Sequence, residues 1–302
     1  MPDNTITNLY DAIGFAQAGL TKDYGFSALI RYKGKTILFD GGSNAEIFKG
    51  NCKQLGVDLR WVDFAVLSHT HFDHINGLDY LLEVNPKAKI YFPNDPFWGA
   101  PIELNLMGPE PLISDSLPNE MKYFDGYLNS CKIIQTGRFR GANVEYLVKS
   151  KEIFPGFSLI VTFAEETGYF SKQKSLIPEK ANKKPDHHST DSNIYFPMAE
   201  ISILMETPHG SALVIGCGHS TLPLMLEEAN KIAKDTITFV YGGLHLMEHD
   251  REEINWLIKK MRTYGVIKIA PNHCTGHLAF KLLQDHFTTD FVPAGLGNQL
   301  EF

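Results

Sequence analysis

The run Val62-Asp63-Phe64-Ala65-Val66-Leu67 leads directly into Ser68-His69-Thr70-His71-Phe72-Asp73-His74, and this junction constrains the chain more than any other segment. A short apolar run closed by a polar turn reads as a buried strand. At its end, three imidazoles and a carboxylate fall within six residues. In an extended or tightly turned segment His69 and His71 can point the same way, with Asp73 and His74 following as a helix begins. Such a turn can offer two imidazoles to one metal ion and a carboxylate plus an imidazole to a second. A lone His-x-His is weak evidence, whereas His-x-His-x-Asp-His after an apolar strand is specific. Two ions a few ångströms apart activate water and steady a developing oxyanion, so a hydrolytic site is the first expectation.

Composition narrows the alternatives. With 302 residues, 43% of them hydrophobic and 21% charged, the chain can bury a substantial core as one large or two ordinary domains. A net charge of -7 argues against a nucleic-acid surface, because phosphate neutralisation needs clustered Lys and Arg. No apolar run approaches the roughly 20 residues needed to span a bilayer. The start, MPDNTITNLYDAIG, has neither the basic nor the apolar region of a secretory signal. Cys52, Cys131, Cys217 and Cys274 are too few and scattered for a disulfide framework, which favours free thiols in a reducing cytoplasm.

Periodicity organises the rest. Phe26 to Tyr32 and Thr36 to Phe39 read as a hairpin, followed by a helix from Ala45 to Leu55, the strand from Val62 to Leu67, a helix from Gly77 to Glu83 and a strand from Lys89 to Phe92. From Pro93 to about 187 prolines and aromatics dominate, with short strands at Lys132 to Gln135 and Ser158 to Phe163. A structureless loop of that length is improbable in a compact domain unless it is functional, so 93–187 reads as an insertion or lid within a single domain over 1–302. The last third places strands at Ile201 to Glu206, Ser211 to Ile215, Thr236 to Tyr241 and Val266 to Ala270. Its helices run over Leu222 to Lys234, Arg251 to Tyr264 and His277 to Phe287. Strand runs followed by strand–helix alternation in both halves predict an α/β (α+β) fold: an αββα sandwich of two mixed sheets flanked by helices.

SHTHFDHINGL resembles the signature of the metallo-β-lactamase fold superfamily, and Asp40 in LFDGG matches its metal-free first motif. The resemblance implies that Asp40 orients a ligand histidine from behind, the support metal imidazoles usually need. It also places Cys217 and His219 of VIGCGH where the superfamily usually has a bridging Asp, and His273 of APNHCTG at its last histidine ligand. GFSALIRYKGKTILFDGG, the segment from Asn51 to Leu59, GCGHS, GGLHL and NHCTGH together resemble one branch. It is the group of metal-dependent hydrolases similar to the dihydropterin ribofuranosylaminobenzene 5'-phosphate synthases. The resemblance covers roughly residues 20–92 and 190–302. The missing carboxylate leaves two replacements, His219, which we prefer, and a thiolate from Cys217, which would suit softer metals and be open to oxidation. Cys217 also reads as a small packed residue at a strand end.

Other histidines carry weaker signals. His188, in DHHSTDSNIYF, resembles the superfamily's middle histidine motif and reads as a ligand, a substrate contact or a surface loop residue. His245 ends a strand on the expected active-site side, which suits substrate binding or support of a ligand. His277 opens a helix whose backbone N–H groups could hold an anion. His209, His249 and His286 read as turn or surface residues, and His187 as solvent-facing. Glu165-Glu166 reads as a solvated loop. Phe92, Phe97, Trp98, Tyr123, Phe124 and Tyr127 could wall a pocket or form the insertion's own core. Gly41-Gly42 and Gly242-Gly243 are no dinucleotide fingerprint, and no G-x-S-x-G elbow is present.

The expected protein is a cytoplasmic metal-dependent hydrolase, with His69, His71, Asp73, His74, His219 and His273 holding one or two divalent ions, zinc first and manganese or iron as alternatives. Asp73 also serves as proton shuttle. The expected partner is a small molecule, a phosphodiester or other phosphate-containing compound, rather than nucleic acid or membrane, and a homodimer is compatible with the apolar insertion. The alternatives are a lactone, thioester or amide hydrolase of the same fold, a redox di-iron site, and a metal-binding sensor with little turnover.

Overall fold

The computed structural model describes residues 4–15, 17–94, 102–105, 117–122, 132–135, 142–164, 175–181 and 198–302. In chain order the main elements are β1 (Thr5–Tyr10), β2 (Ser27–Tyr32), β3 (Lys35–Phe39), α1 (Ala45–Gln54), β4 (Phe64–Val66), α2 (Phe72–Ile75), α3 (Leu78–Val84) and β5 (Lys89–Pro93). They continue with β6 (Ile102–Asn105), β7 (Lys132–Gln135), β8 (Val144–Leu147), β9 (Lys151–Phe154), β10 (Phe157–Ala164), α4 (Pro178–Ala181), β11 (Met198–Thr207) and β12 (Gly210–Ile215). The chain closes with α5 (Leu222–Asn230), β13 (Ile237–Gly243), α6 (Arg251–Thr263), β14 (Lys268–Asn272), α7 (His277–Phe287) and β15 (Gln299–Glu301). None of the described helices is long and apolar enough to cross a membrane.

Two mixed sheets result. One has the order β15-β1-β2-β3-β4-β5-β8 and the other β14-β13-β12-β11-β10-β9, while β6 and β7 form a separate ribbon. In the first sheet β1 to β3 are antiparallel and β3, β4, β5 and β8 parallel; in the second β12, β13 and β14 are parallel. Thus β8, β9 and β10, from the segment read as an insertion, lie within the two main sheets.

The period-2 alternation of the strands separates three cores. Ile30, Ile37 and Phe39 face Ala212, Val214 and Tyr241 in the layer between the sheets. The intervening Leu29 and Leu38 point outward to Phe48, Leu78 and Leu81 of α1 and α3. On the far side Leu213 and Ile215 meet Met225, Leu226, Ile254, Leu257 and Phe280 from α5, α6 and α7. Each such buried aliphatic side chain contributes about 1.5–3 kcal/mol relative to exposure. The predicted αββα sandwich is therefore the observed architecture.

Several details differ from the sequence reading. β1 received no assignment, because Thr5, Thr7 and Asn8 give it a polar appearance, yet all six of its residues are buried between β15 and β2. Phe92 lies in β5 and packs in the outer core beside α1 and α3 rather than walling a pocket; the other aromatics of that group lie outside the described residues. His249 is buried, not a surface residue, since its Nδ1 sits 3.0 Å from Glu253 Oε2. The same Glu253 closes the capping box of α6 with Asp250, so the cap and the histidine share one carboxylate.

Candidate metal centre

The centre forms where β3, β4, β12, β13 and β14 all end, the rim at which α/β sheets generally bind ligands. Asp40 follows β3 in a left-handed conformation (φ 59°) and its backbone N–H donates to Val66 O of the neighbouring parallel strand. Its carboxylate, fully buried, accepts from Ser68 N at 2.6 Å and Ser68 Oγ at 2.7 Å, and lies 2.7 Å from His74 Nδ1. Ser68 O in turn accepts from Ile201 N of the opposite sheet, which ties the two rims together. At Gly216 a Cβ would sit 2.2 Å from Ser68 Oγ and 2.7 Å from Asp40 Oδ2, so glycine is what lets β12 approach this pair.

These bonds fix tautomers. An Asp carboxylate only accepts, so His74 presents Nδ1–H to Asp40 and leaves Nε2 with its lone pair facing inward. The Ser68 hydroxyl donates to Asp40, and its oxygen, 2.9 Å from His69 Nδ1, accepts that N–H. His69 Nε2 then carries a lone pair too, and among the described residues it has no hydrogen-bond partner although buried. One carboxylate therefore orients two histidines, one directly and one through a hydroxyl.

The remaining groups converge on these nitrogens. His74 Nε2 lies 3.1 Å from His273 Nε2, and Asp73 Oδ2 lies 3.3 Å from His273 Nε2 and 3.6 Å from His74 Nε2. The His219 ring sits 4.7 Å from that of His69, 4.6 Å from His71 and 4.0 Å from His245. Ligand atoms of His69, Cys217 and His219, and of His74, Cys217 and His273, lie within 4.8 Å of one another in each group. Imidazole, carboxylate and thiol donors of this kind suit borderline cations such as zinc. An inward lone pair on a buried, unpartnered nitrogen fits the same role.

Electrostatics gives neutral imidazoles at His69, His71 and His219, beside an anionic Asp73 paired with a protonated His273. Burial, then the neighbouring imidazoles, push His69 and His219 well below the ordinary histidine value. Burial lowers His71 to about 4 against the partial opposition of Asp73. At Asp73 burial works against the charge, but His74 and His273 outweigh it and hold the carboxyl below its usual range. Burial also opposes protonation of His273, yet Cys274 and Asp73 prevail and raise it.

For His71 the sign is definite. The folded value of about 4 lies below the ordinary 6.5, so between them the unfolded chain binds more protons. Its contribution to stability is complete above 6.5 and is lost as pH falls toward 4. In metal-free protein the wild type, compared with His71→Asn, should lose about 1–3 kcal/mol between about pH 7 and pH 4, the half-buried ring reducing the full linkage value. Denaturant titrations across that range check it, and parallel stability curves would contradict it.

The sequence-predicted residues are thus brought together, with Asp40 behind them and His71 at the rim; His188 lies outside the described residues. Three contributors were missed. Glu200, the buried one of the two glutamates in β11, accepts from Gly218 N at 2.7 Å and Ser220 N at 2.8 Å, bracketing His219. An acid set among the apolar residues from Met198 to Met205 was the available signal. Asp11 is buried where β1 ends and accepts from His273 N at 3.3 Å; burial raises its carboxyl to about 7. Cys274, 1% exposed, touches Cys217 with sulfurs 3.1 Å apart.

Comparison with known proteins bears on the fold. Residues 20–131 match the model of the metallo-beta-lactamase superfamily. The chain is 28% identical over 288 residues to the 7,8-dihydropterin-6-methyl-4-(beta-D-ribofuranosyl)-aminobenzene-5'-phosphate synthase of Methanocaldococcus jannaschii, covering 92% of this chain and 90% of that protein. Among solved structures it is similar to Tm1679, a metal-dependent hydrolase of the beta-lactamase superfamily, with a TM-score of 0.68, 20% identity and 99% of both chains covered. Yeast PDE1 aligns over 100% of both chains with a TM-score of 0.53 and 11% identity, a likeness of fold alone. The resemblance read from the histidine turn is thereby borne out: this chain has the metallo-β-lactamase fold and is similar along most of its length to the dihydropterin ribofuranosylaminobenzene 5'-phosphate synthase branch of that superfamily.

Proposed function

We propose that the protein is a metal-dependent hydrolase of a small, phosphate-containing molecule. His69, His71 and His219 would hold one ion, and Asp73, His74 and His273 a second. The observation that carries this reading is the pair of oriented imidazoles, His69 and His74, whose inward nitrogens are set by Asp40 and Ser68. When bound, divalent ions of the zinc class, or manganese or iron, lower the pKa of water and stabilise charge developing on the substrate. The chain's own part is to fix the donors. Asp40 and Ser68 hold His69 and His74, Asp11 holds the His273 backbone, and Glu200 holds the turn that bears His219. Asp73, anionic beside His273, is the group placed to take up and return a proton.

A phosphate-containing substrate is favoured by the relative's name, which specifies a 5'-phosphate, and by α7, whose first turn can bind an anion close to His273. The net charge of -7 favours a small molecule over nucleic acid, and the free thiols of Cys52, Cys217 and Cys274 suit a reducing cytoplasm. Because the relative is named a synthase, the bond acted upon needs direct measurement. Metal-loaded protein should turn over bis(p-nitrophenyl) phosphate or cyclic nucleotides, lose that activity to a chelator and regain it with Zn²⁺ or Mn²⁺. Turnover confined to lactones or thioesters would overturn the phosphate assignment. Bound metal with no turnover in any of these classes would make the protein a sensor.

A further inference from the structure

Just beyond the ends of three adjacent strands of the second sheet, β12, β13 and β14, lie Cys217, His245 and Cys274 respectively, and these side chains meet. The sulfurs of Cys217 and Cys274 are 3.1 Å apart, and Cys217 Sγ is 3.3 Å from His245 Nδ1. All three donor atoms lie within 4.8 Å of one another. The sulfurs meet across β13 because its residue at that level is Gly243, where a Cβ would stand 2.9 Å from Cys274 Sγ and 3.2 Å from Cys217 Cα. His245 reaches them from a left-handed backbone conformation (φ 49°), one that non-glycine residues rarely adopt and that gathers at functional sites.

Two plainer roles fit less well. A buried cysteine often serves as a small apolar residue, and Cys52 does so among Phe48, Leu59 and Leu78. Cys217 and Cys274 instead contact each other, polar groups and an imidazole. A disulfide would draw the sulfurs in to about 2.0 Å and has no use for a third donor. A tetrahedral ion with bonds of about 2.3 Å would part them to about 3.8 Å and use all three groups.

We propose that Cys217, His245 and Cys274 form a thiolate–imidazole site for a borderline divalent cation, contiguous with the histidine groups. Cys217 is the shared member, since it also belongs to the groups of His69 with His219 and of His74 with His273. The site replaces the missing bridging carboxylate and selects Zn²⁺, Co²⁺ or Fe²⁺ over Mg²⁺ and Mn²⁺, because thiolates bind the harder ions poorly. Binding releases the Cys217 thiol proton to solvent, Cys274 already being held toward its thiolate, against burial, by Cys217 and His273, and changes no oxidation state. The proposal deepens the metal-centre reading but does not depend on hydrolysis.

The test loads metal-free protein with Co²⁺ and records near-ultraviolet absorption, where thiolate-to-cobalt charge transfer appears. The wild type should show the band, C274S should retain about half of it or less, and C217S should lose most of it. His71→Ala, which leaves the sulfur site intact, should keep the band. Cobalt-loaded wild type without the band would overturn the proposal, as would equal bands in wild type, C217S and C274S. A Cys217–Cys274 disulfide in metal-loaded protein, seen as two missing free thiols, would also overturn it. The band without hydrolysis supports the site and counts against the catalytic reading alone; hydrolysis without the band does the reverse.

Discussion

Asp40→Ala should lower folding stability by about 3–5 kcal/mol and strip the protein of most of its metal. Ser68 N, Ser68 Oγ and His74 Nδ1 all meet this one buried carboxylate. Removing it orphans three donors in a region water does not reach, and unpaired buried donors each cost about 1–3 kcal/mol. The loss extends beyond stability. Without Asp40 the Ser68 hydroxyl is no longer obliged to accept from His69 Nδ1, and His74 is free to turn its protonated nitrogen inward. Asp40→Asn keeps the volume and one acceptor, so it should fall between wild type and Asp40→Ala in both respects. Denaturant unfolding of metal-free protein separates the two effects, and a change below about 1 kcal/mol for Asp40→Ala would show that the carboxylate is not the keystone of this rim.

The half of the site built by the histidine turn was legible because its chemistry is local. His69, His71, Asp73 and His74 share one strand end and one helix start, so spacing alone groups them. α7 was read over His277 to Phe287, the limits it has, because its apolar period is strong. The opposite half was harder because it is assembled from strand ends far apart in sequence. Nothing local says that Cys274 will meet Cys217, since the contact depends on the absent side chain of Gly243. Asp11 and Glu200 act through backbone N–H groups of His273, Gly218 and Ser220, and such contacts leave no spacing pattern. β1 was missed for a related reason: its polar residues are buried by the sheet on both sides, so polarity misreports burial there. His249 was misread because the carboxylate that makes its burial tolerable lies in the cap of the following helix.

His71→Ala should remove the ion shared with His69 and His219 and cut metal-dependent hydrolysis by about a hundredfold or more. His71 stands at the rim and is half-buried, so its truncation leaves the Asp40–Ser68–His74 network and the three cores untouched. A fall in activity with an unchanged unfolding midpoint in metal-free protein would therefore report ligand loss rather than damage to the fold. The group of Asp73, His74 and His273 keeps its donors in this variant, which makes the expected loss partial rather than complete. The measurement that bears most directly on the centre is elemental metal content per folded chain, wild type against His71→Ala. The account predicts about one zinc, manganese or iron ion fewer per chain in the variant than in the wild type, which itself carries bound metal. A native wild type that binds no such ion, or a variant that retains the full complement, would contradict it.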